Sequence, residues 1–519
     1  MPPISPVGGA GAYLQARLDL LTVRARALVD LRRRSDPHPD DRFRGLYVDD
    51  AEVDRLLTER DGPPVAPDGP AAPGSLYRQL RSAAADRGDP SRWAGLVAEF
   101  GLSEPEEEIL LVAAAPDLEA RFEKLYGYLN DDVTRRRASV GLALALTGLP
   151  AVDGAARHHL SSAGTLVRSH LVLIDDADRP LLSRALRVPD RLVAHLLGRD
   201  EPDAALADLV RLPATWPGQV DPVVRSALDA QAALLYAQDR PGGTAVSWIH
   251  AGLAAAGVGS LVVDVSGLDR GHDHSALAAI AGREARLRGA VLVVSGVDQL
   301  APAGAGRVRP WAESAPTVAL IGSGAWDPRW SVRPPILLDP PSLTQHEQSA
   351  VWARALGLAG DDEPPAAVRA YRLGPEQIEQ AAGAARQRAA TAGRPVGPED
   401  LRAGARSQNS AGLEQLARRI SPRAAFADLV VPAAVEAQLR ALVARVEHRA
   451  LVLDDWQLAT AAAKGRGVTV LFSGDSGTGK TMSAEVIARE LGLELYVIDL
   501  STVVDKYICL LYTSPSPRD

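Results

Sequence analysis

The chain is nearly without cysteine and lysine, and it is poor in aromatic residues. One cysteine, Cys509, in 519 residues excludes an internal disulfide framework. The N-terminus, MPPISPVGGAGAYLQ, lacks the basic and then apolar order of a secretory leader, so a reducing cytoplasm is the expected setting. Aromatics at 4% leave the cores to rest mainly on Leu, Val and Ala. The net charge of -8 supplies no global field that would hold the chain on nucleic acid or an anionic membrane. One stretch, Thr244 to Val263, has no Asp, Glu, Lys or Arg. Its Ala, Gly and Ser gain little from transfer into hydrocarbon, so it reads as a buried strand, a loop and a second strand. No membrane partner is expected.

What is present is enough chain for roughly three domains. Gly11 to Arg33 places Leu14, Leu18, Leu21, Leu28 and Leu31 near helical spacing, the pattern of an amphipathic helix. Two Pro/Gly/Asp-rich stretches, at Ser35 and from Asp61, read as linkers or loops. From Trp93 to Leu149 the signals are helical. Ser103 and Glu106 match a capping box at the head of the apolar run EEILLVAAA, and the short Gly-Leu-Ser turn before it suggests a helix-turn-helix inside a winged-helix module. Arg135, Arg136 and Arg137 would be its phosphate contacts if it read DNA, although Asp131 and Asp132 stand just before them. From about Pro241 short apolar runs, AVSWI, SLVVDV, AVLVVSG and TVALIGS, alternate with helical ones, as a parallel sheet with crossover helices requires. Helices after Asp339, through Ile420, would close that domain as a lid.

A second strand-and-helix domain starts near Phe426, and it holds the chemistry. Gly474 to Thr481, GDSGTGKT, fit the phosphate-loop pattern GxxxxGK[ST]. Only four of the 57 basic residues are lysines, Lys124, Lys464, Lys480 and Lys506, so a lysine at this place is informative. Val468 to Phe472 reads as a buried strand before the loop. Thr481 opens a helix with Ala484, Ile487, Ala488 and Leu491 on one face, Gly492 fits the helix end, and Leu495 to Ile498 is the next strand. The chemistry accounts for each position. Gly474, Gly477 and Gly479 let the backbone wrap phosphate oxygens, with the amides of Asp475, Ser476 and Thr478 in the same cradle and the helix dipole behind. Lys480 reaches the terminal phosphates, and the Thr481 hydroxyl ligates magnesium, so ATP and Mg2+ are the expected cofactors.

With GDSGTGKT, the run MSAEVIARELGLELYVIDLSTVVDKYI and the lead-in FADLVVP, LRALVARV and GRGVTVLF, the chain resembles AAA+ ATPases encoded with contractile, phage-tail-like injection systems. The resemblance implies an α/β fold of P-loop NTPase (AAA+) parallel-sheet domains behind a mainly helical, winged-helix-like N-terminal region. It implies a first AAA+ domain that has lost its reaction and a second that keeps it. The divisions expected are 1–205 for the helical region, 206–362 for the first core, 363–425 for its lid and 426–508 for the start of the second domain. A homo-oligomeric ring that acts on a protein substrate is also implied. An ATP-switched DNA-binding regulator is the alternative.

AAA+ proteins end their third strand in Asp-Glu. Here AVLVVSGVDQL puts Ser295 and Gly296 at those positions, and SWIHAGLAAAGVG, taken as the preceding loop region, has no lysine. Asp298 reads as a strand-end cap and His272 and His274 as a solvated loop. Tyr507 and Ile508 resemble the aromatic and aliphatic residues of a pore loop, or a tyrosine packed on a neighbouring helix. Cys509 to Asp519, CLLYTSPSPRD, departs from the family pattern and equals one reading frame of a transposase adapter used in short-read sequencing. That tail is set aside as an artefact, the second domain's Asp-Glu, sensors and arginine finger are expected to be missing, and this chain is expected not to hydrolyse ATP.

Overall fold

The computed structural model describes residues 9–35, 53–54, 92–220, 222–229, 234–239, 242–269, 271–301, 304–358, 366–368, 371–408, 418–449, 452, 468–475 and 477–498. Tyr507, Ile508 and the tail from Cys509 lie outside the described residues.

The N-terminal helix spans Gly9–Ser35. It buries Leu18, Leu21, Ala25 and Val29 against the helical region, whereas Leu31, expected on the same face, is 63% exposed. Helices Arg92–Phe100 and Glu104–Leu118 are joined by Gly101, whose φ of 57° turns the chain. Glu106 accepts hydrogen bonds from the Ser103 amide at 3.0 Å and from the Ser103 hydroxyl at 2.7 Å, the reciprocal half of the predicted capping box.

The expected helix-turn-helix reading of this pair is corrected. Every residue from Glu106 to Pro116 is buried, so the second helix is the centre of the module and presents no face to a groove. Exposing Ile109, Leu110, Leu111 and Val112 would forfeit about 1.5–3 kcal/mol each. The winged arrangement lies farther along. A bridge pairs Ser139 with Ala185, helix Val140–Thr147 follows the first partner, and strands β1 (Leu173–Ile174) and β2 (Leu186–Arg187) pair antiparallel as a small wing. The three arginines are committed to acids of the module: Arg135 to Asp132 at 3.2 Å, Arg136 to Glu123 at 3.5 Å, and Arg137 to Asp117 at 2.7 Å.

The middle of the chain is a six-stranded sheet with helices on both faces. Its strands are β3 (Val210–Arg211), β4 (Leu234–Gln238), β5 (Gly259–Asp264), β6 (Ala290–Ser295), β7 (Val318–Gly322) and β8 (Ile336–Leu338). The spatial order is β3-β5-β6-β7-β4-β8, with β3 antiparallel and the others parallel. Two predicted elements change here. AVSWI is the start of helix Ala245–Ala255, and the strand before it is LLYAQ, which carries four buried residues in succession. The expected strand, loop and strand from Thr244 to Val263 is therefore a helix, a turn and β5. Trp248, Ile249 and Leu253 pack that helix onto the sheet, and burial overrides the strand propensity of Val, Trp and Ile.

Helices Gln345–Leu356, Pro375–Thr391 and Pro398–Ser407 form a bundle around Trp352, Ile378, Ala382 and Leu401. Its first helix belongs to the helical run expected after Asp339, although it lies before the division expected at residue 363. Among the described residues after it are β9 (Arg418–Ile420), helices Ala433–Glu447 and Lys480–Glu490, and β10 (Leu495–Val497), which pairs antiparallel with β9. The predicted strand Val468 to Phe472 is not one. No strand lies beside it among the described residues, and Leu471 is 90% exposed, because an extended segment becomes a strand only with a neighbour to share its ladder. No helix among the described residues is long and apolar enough to cross a membrane.

Candidate functional site

Two glycine-containing loops, each leading into a helix, bear on the expected phosphate chemistry. In the second, Gly477 and Gly479 adopt φ of 83° and 86°, conformations costly for side chains with a Cβ. A Cβ on Gly474 would stand 2.9 Å from Thr478 Oγ1. The Thr478 hydroxyl donates to the Asp475 carbonyl at 2.8 Å and tightens the loop. Gly479 caps helix Lys480–Glu490, whose first turn holds no acidic residue, so no carboxylate of that turn competes for an anion. Lys480 Nζ donates to the carbonyls of Gly474 at 2.7 Å and Asp475 at 2.5 Å, curled over the loop it would share with phosphate oxygens. Thr481 is exposed at the helix start, and Ser476 lies outside the described residues.

The helix is held from behind. Glu485 accepts from the amides of Arg423 at 2.6 Å and Ala424 at 3.1 Å, and these bonds hold its carboxyl below the usual range. Its buried stripe is Ser483, Val486, Ala488 and Leu491; Ala484 and Ile487, predicted for that face, are half-buried. Gly492 ends it at φ 69°, as the sequence suggested. These residues fit a nucleotide triphosphate and magnesium: a glycine cradle, a helix start, a lysine within reach of phosphate oxygens and a hydroxyl open to a cation.

The first loop was misplaced in the sequence. It follows β4, its described residues being Asp239 and Gly242 to Thr244, at the point where β4 is flanked by β7 on one side and β8 on the other. In open α/β sheets such a switch point is where ligands bind. Aligned on the motif, Gly242, Gly243 and Thr244 take the places of Gly-Lys-Thr, with glycine where the lysine belongs. The GGT after an apolar run was the signal that could have found it. Thr244 Oγ1 donates to the Pro341 carbonyl at 2.9 Å.

At the end of β6 Ser295 and Gly296 stand where the metal-holding acids were expected, and Gly296 has φ 79° with a Cβ position 2.9 Å from Ser266 Cβ. Asp298 accepts from Ser323 Oγ at 2.6 Å and faces Tyr236, whose hydroxyl burial pushes up to about 12. His272 pairs with Asp269 at 2.8 Å, and His274 sits against the Asp269 carbonyl at 3.2 Å. Among the described residues no three His, Cys, Asp or Glu side chains gather as metal ligands.

The parallel sheet, its strand order and the glycine loop at a helix start define an AAA+ P-loop fold behind a helical winged-helix region. Three families match along the chain in that order: a variant winged helix domain over residues 10–210, a contractile injection system ATPase helical domain over 344–411, and the ATPase family associated with various cellular activities over 470–513. Together they bear out the resemblance to the AAA+ ATPases of contractile injection systems. No curated protein matches the chain.

Proposed function

We propose that the chain binds magnesium ATP through the loop Gly474 to Thr481. Lys480 meets the terminal phosphates, Thr481 ligates the cation, and the amides of the loop take the remaining oxygens. The observation that carries this reading is the pair of left-handed glycines, Gly477 and Gly479, opening a helix on Lys480. Hydrolysis also needs a carboxylate to polarise water. No strand-end acid pair stands beside the loop among the described residues, so nucleotide binding is the step the reading assigns to them. The ATPase is read as a ring that acts on protein assemblies, and the match at 344–411 supports its link to a contractile injection system.

The DNA-regulator alternative draws no support from the paired arginines at 135–137. The test is calorimetry with magnesium ATP on the parent and the Lys480→Ala chain. Binding by the parent and its loss in the variant is expected. Equal affinity of the two overturns the assignment.

A further inference from the structure

The first AAA+ core lacks the phosphate lysine, and its loop carries something in place of a ligand. Asp239, the residue after β4, turns its carboxylate back into the loop. One oxygen, Oδ1, accepts from the Thr244 amide at 3.0 Å and from the Ala245 amide at 3.2 Å, at the start of the eleven-residue helix Ala245–Ala255. Those are the free amides that a phosphate oxygen takes in a working loop, and a carboxylate there satisfies both the donors and the helix dipole. The Asp239 amide is tied to the Gly322 carbonyl at 2.8 Å, so its backbone is anchored at the end of β7. The hydroxyl that would meet magnesium is given to Pro341.

The helical bundle closes over the same loop. A Cβ on Gly374, the cap of helix Pro375–Thr391, would stand 2.0 Å from the carbonyl oxygens of both Gly242 and Gly243, so only glycine lets the bundle come this near. The Gly374 amide is held by Gln377 Oε1 at 3.2 Å, and Glu376 Oε1 accepts from the Ala214 amide at 3.3 Å.

We propose that Asp239 is a built-in substitute for a nucleotide phosphate, which holds the first AAA+ domain permanently in one core-to-lid arrangement without ATP. An aspartate in the cradle excludes a phosphate by occupancy and by charge, so the domain is plugged rather than merely weakened. The role it leaves is that of a fixed clamp between the winged-helix region and the second loop.

Hydrogen exchange read at single amides tests this on the full chain. Lys480→Ala is added throughout to silence the second loop. In that background magnesium ATP is expected to leave exchange of Thr244 and Ala245 unchanged. Asp239→Ala should speed both amides at least about tenfold, while Asp239→Asn, which keeps an accepting oxygen, preserves most of the protection. Gly374→Ala should free the same amides by forcing the bundle off the loop. Helix Glu104–Leu118 serves as the internal reference, and its protection should not change in any variant.

Slowing of Thr244 and Ala245 by magnesium ATP overturns the proposal, and so does unchanged exchange in Asp239→Ala or in Gly374→Ala. The readout is local to the first loop. A failure of Lys480→Ala to reduce total ATP binding would therefore count against the second-loop reading and leave this one standing.

Discussion

Arg191 and Glu284 lie 93 residues apart in sequence and meet through two hydrogen bonds of 2.9 Å, Nε to Oε2 and Nη2 to Oε1, in the seam between the winged-helix region and helix His274–Leu287. Glu284 is 0% exposed and also accepts from Arg288 at 2.7 Å. Arg283, one residue before it, pairs with Asp203 across the same seam. A buried pair of this kind adds little over a well-packed apolar pair, yet removing Arg191 leaves the fully buried Glu284 with Arg288 alone. With Arg288 still on Glu284, Arg191→Ala is expected to destabilise the seam by less than the roughly 3–5 kcal/mol of a fully stranded charge, and the Arg191→Met, Glu284→Met double variant by less again. Limited proteolysis between residues 190 and 290 in rising urea measures both. Equal loss in the single and double variants would count against the argument.

Thr481→Ala separates the metal from the phosphates. ATP binding without magnesium should match the parent, and the gain on adding magnesium should fall about tenfold if, as proposed, the Thr481 hydroxyl enters the cation's shell. Titrations with and without magnesium read the two terms. An undiminished magnesium gain would remove Thr481 from the metal site.

Burial pushes the Glu376 carboxyl from 4.5 up to about 7, with Asp239 and Glu379 adding to the rise. The folded state then holds a proton that the unfolded chain releases near 4.5. Its contribution to stability is full below pH 4.5 and is lost as pH rises through 7, by up to about 3 kcal/mol. The helical bundle should therefore melt at lower temperature at pH 8 than at pH 5.5, and Glu376→Gln should flatten that dependence. A Gln variant as pH-sensitive as the parent contradicts the assignment.

Gly296→Ala places a side chain at φ 79° and within about 3 Å of Ser266, an expected loss of about 1–3 kcal/mol. Gly306→Ala, where a Cβ meets nothing within 4 Å, is the control. Denaturant midpoints followed by the fluorescence of Trp311 and Trp330 should separate the two.

The sequence made the second loop legible because its chemistry is written in rare letters. Lys480 is one of four lysines, and three glycines surround it. The first loop was hidden because DRPGGT has no lysine before its threonine and so does not fit the motif, and AVSWI has the composition of a strand. Burial against Leu235 and Ala237 makes it a helix, a tertiary effect that local propensity does not contain. The same holds for EEILLVAAA. Its capping signal marked the helix start correctly, but its all-round burial follows from the Gly9–Ser35 helix, whose Arg17 meets Glu108 at 2.6 Å from 91 residues away. Expected ring contacts at Tyr507 and Ile508 fall outside the described residues.

The end of helix Lys480–Glu490 has its own attachment. The Tyr371 hydroxyl donates to the Gly492 carbonyl, a Cβ at Gly492 would strike Arg402, and Leu493 packs against the bundle core. The helix is thus pinned at its far end to the helical bundle, and its loop end lies about 16 Å away along the axis. In mechanical terms it is a lever with a fixed fulcrum. A tilt of a few degrees at Gly492 would move Lys480 by about an ångström, so the packing of the helical bundle bears directly on where the glycine loop sits.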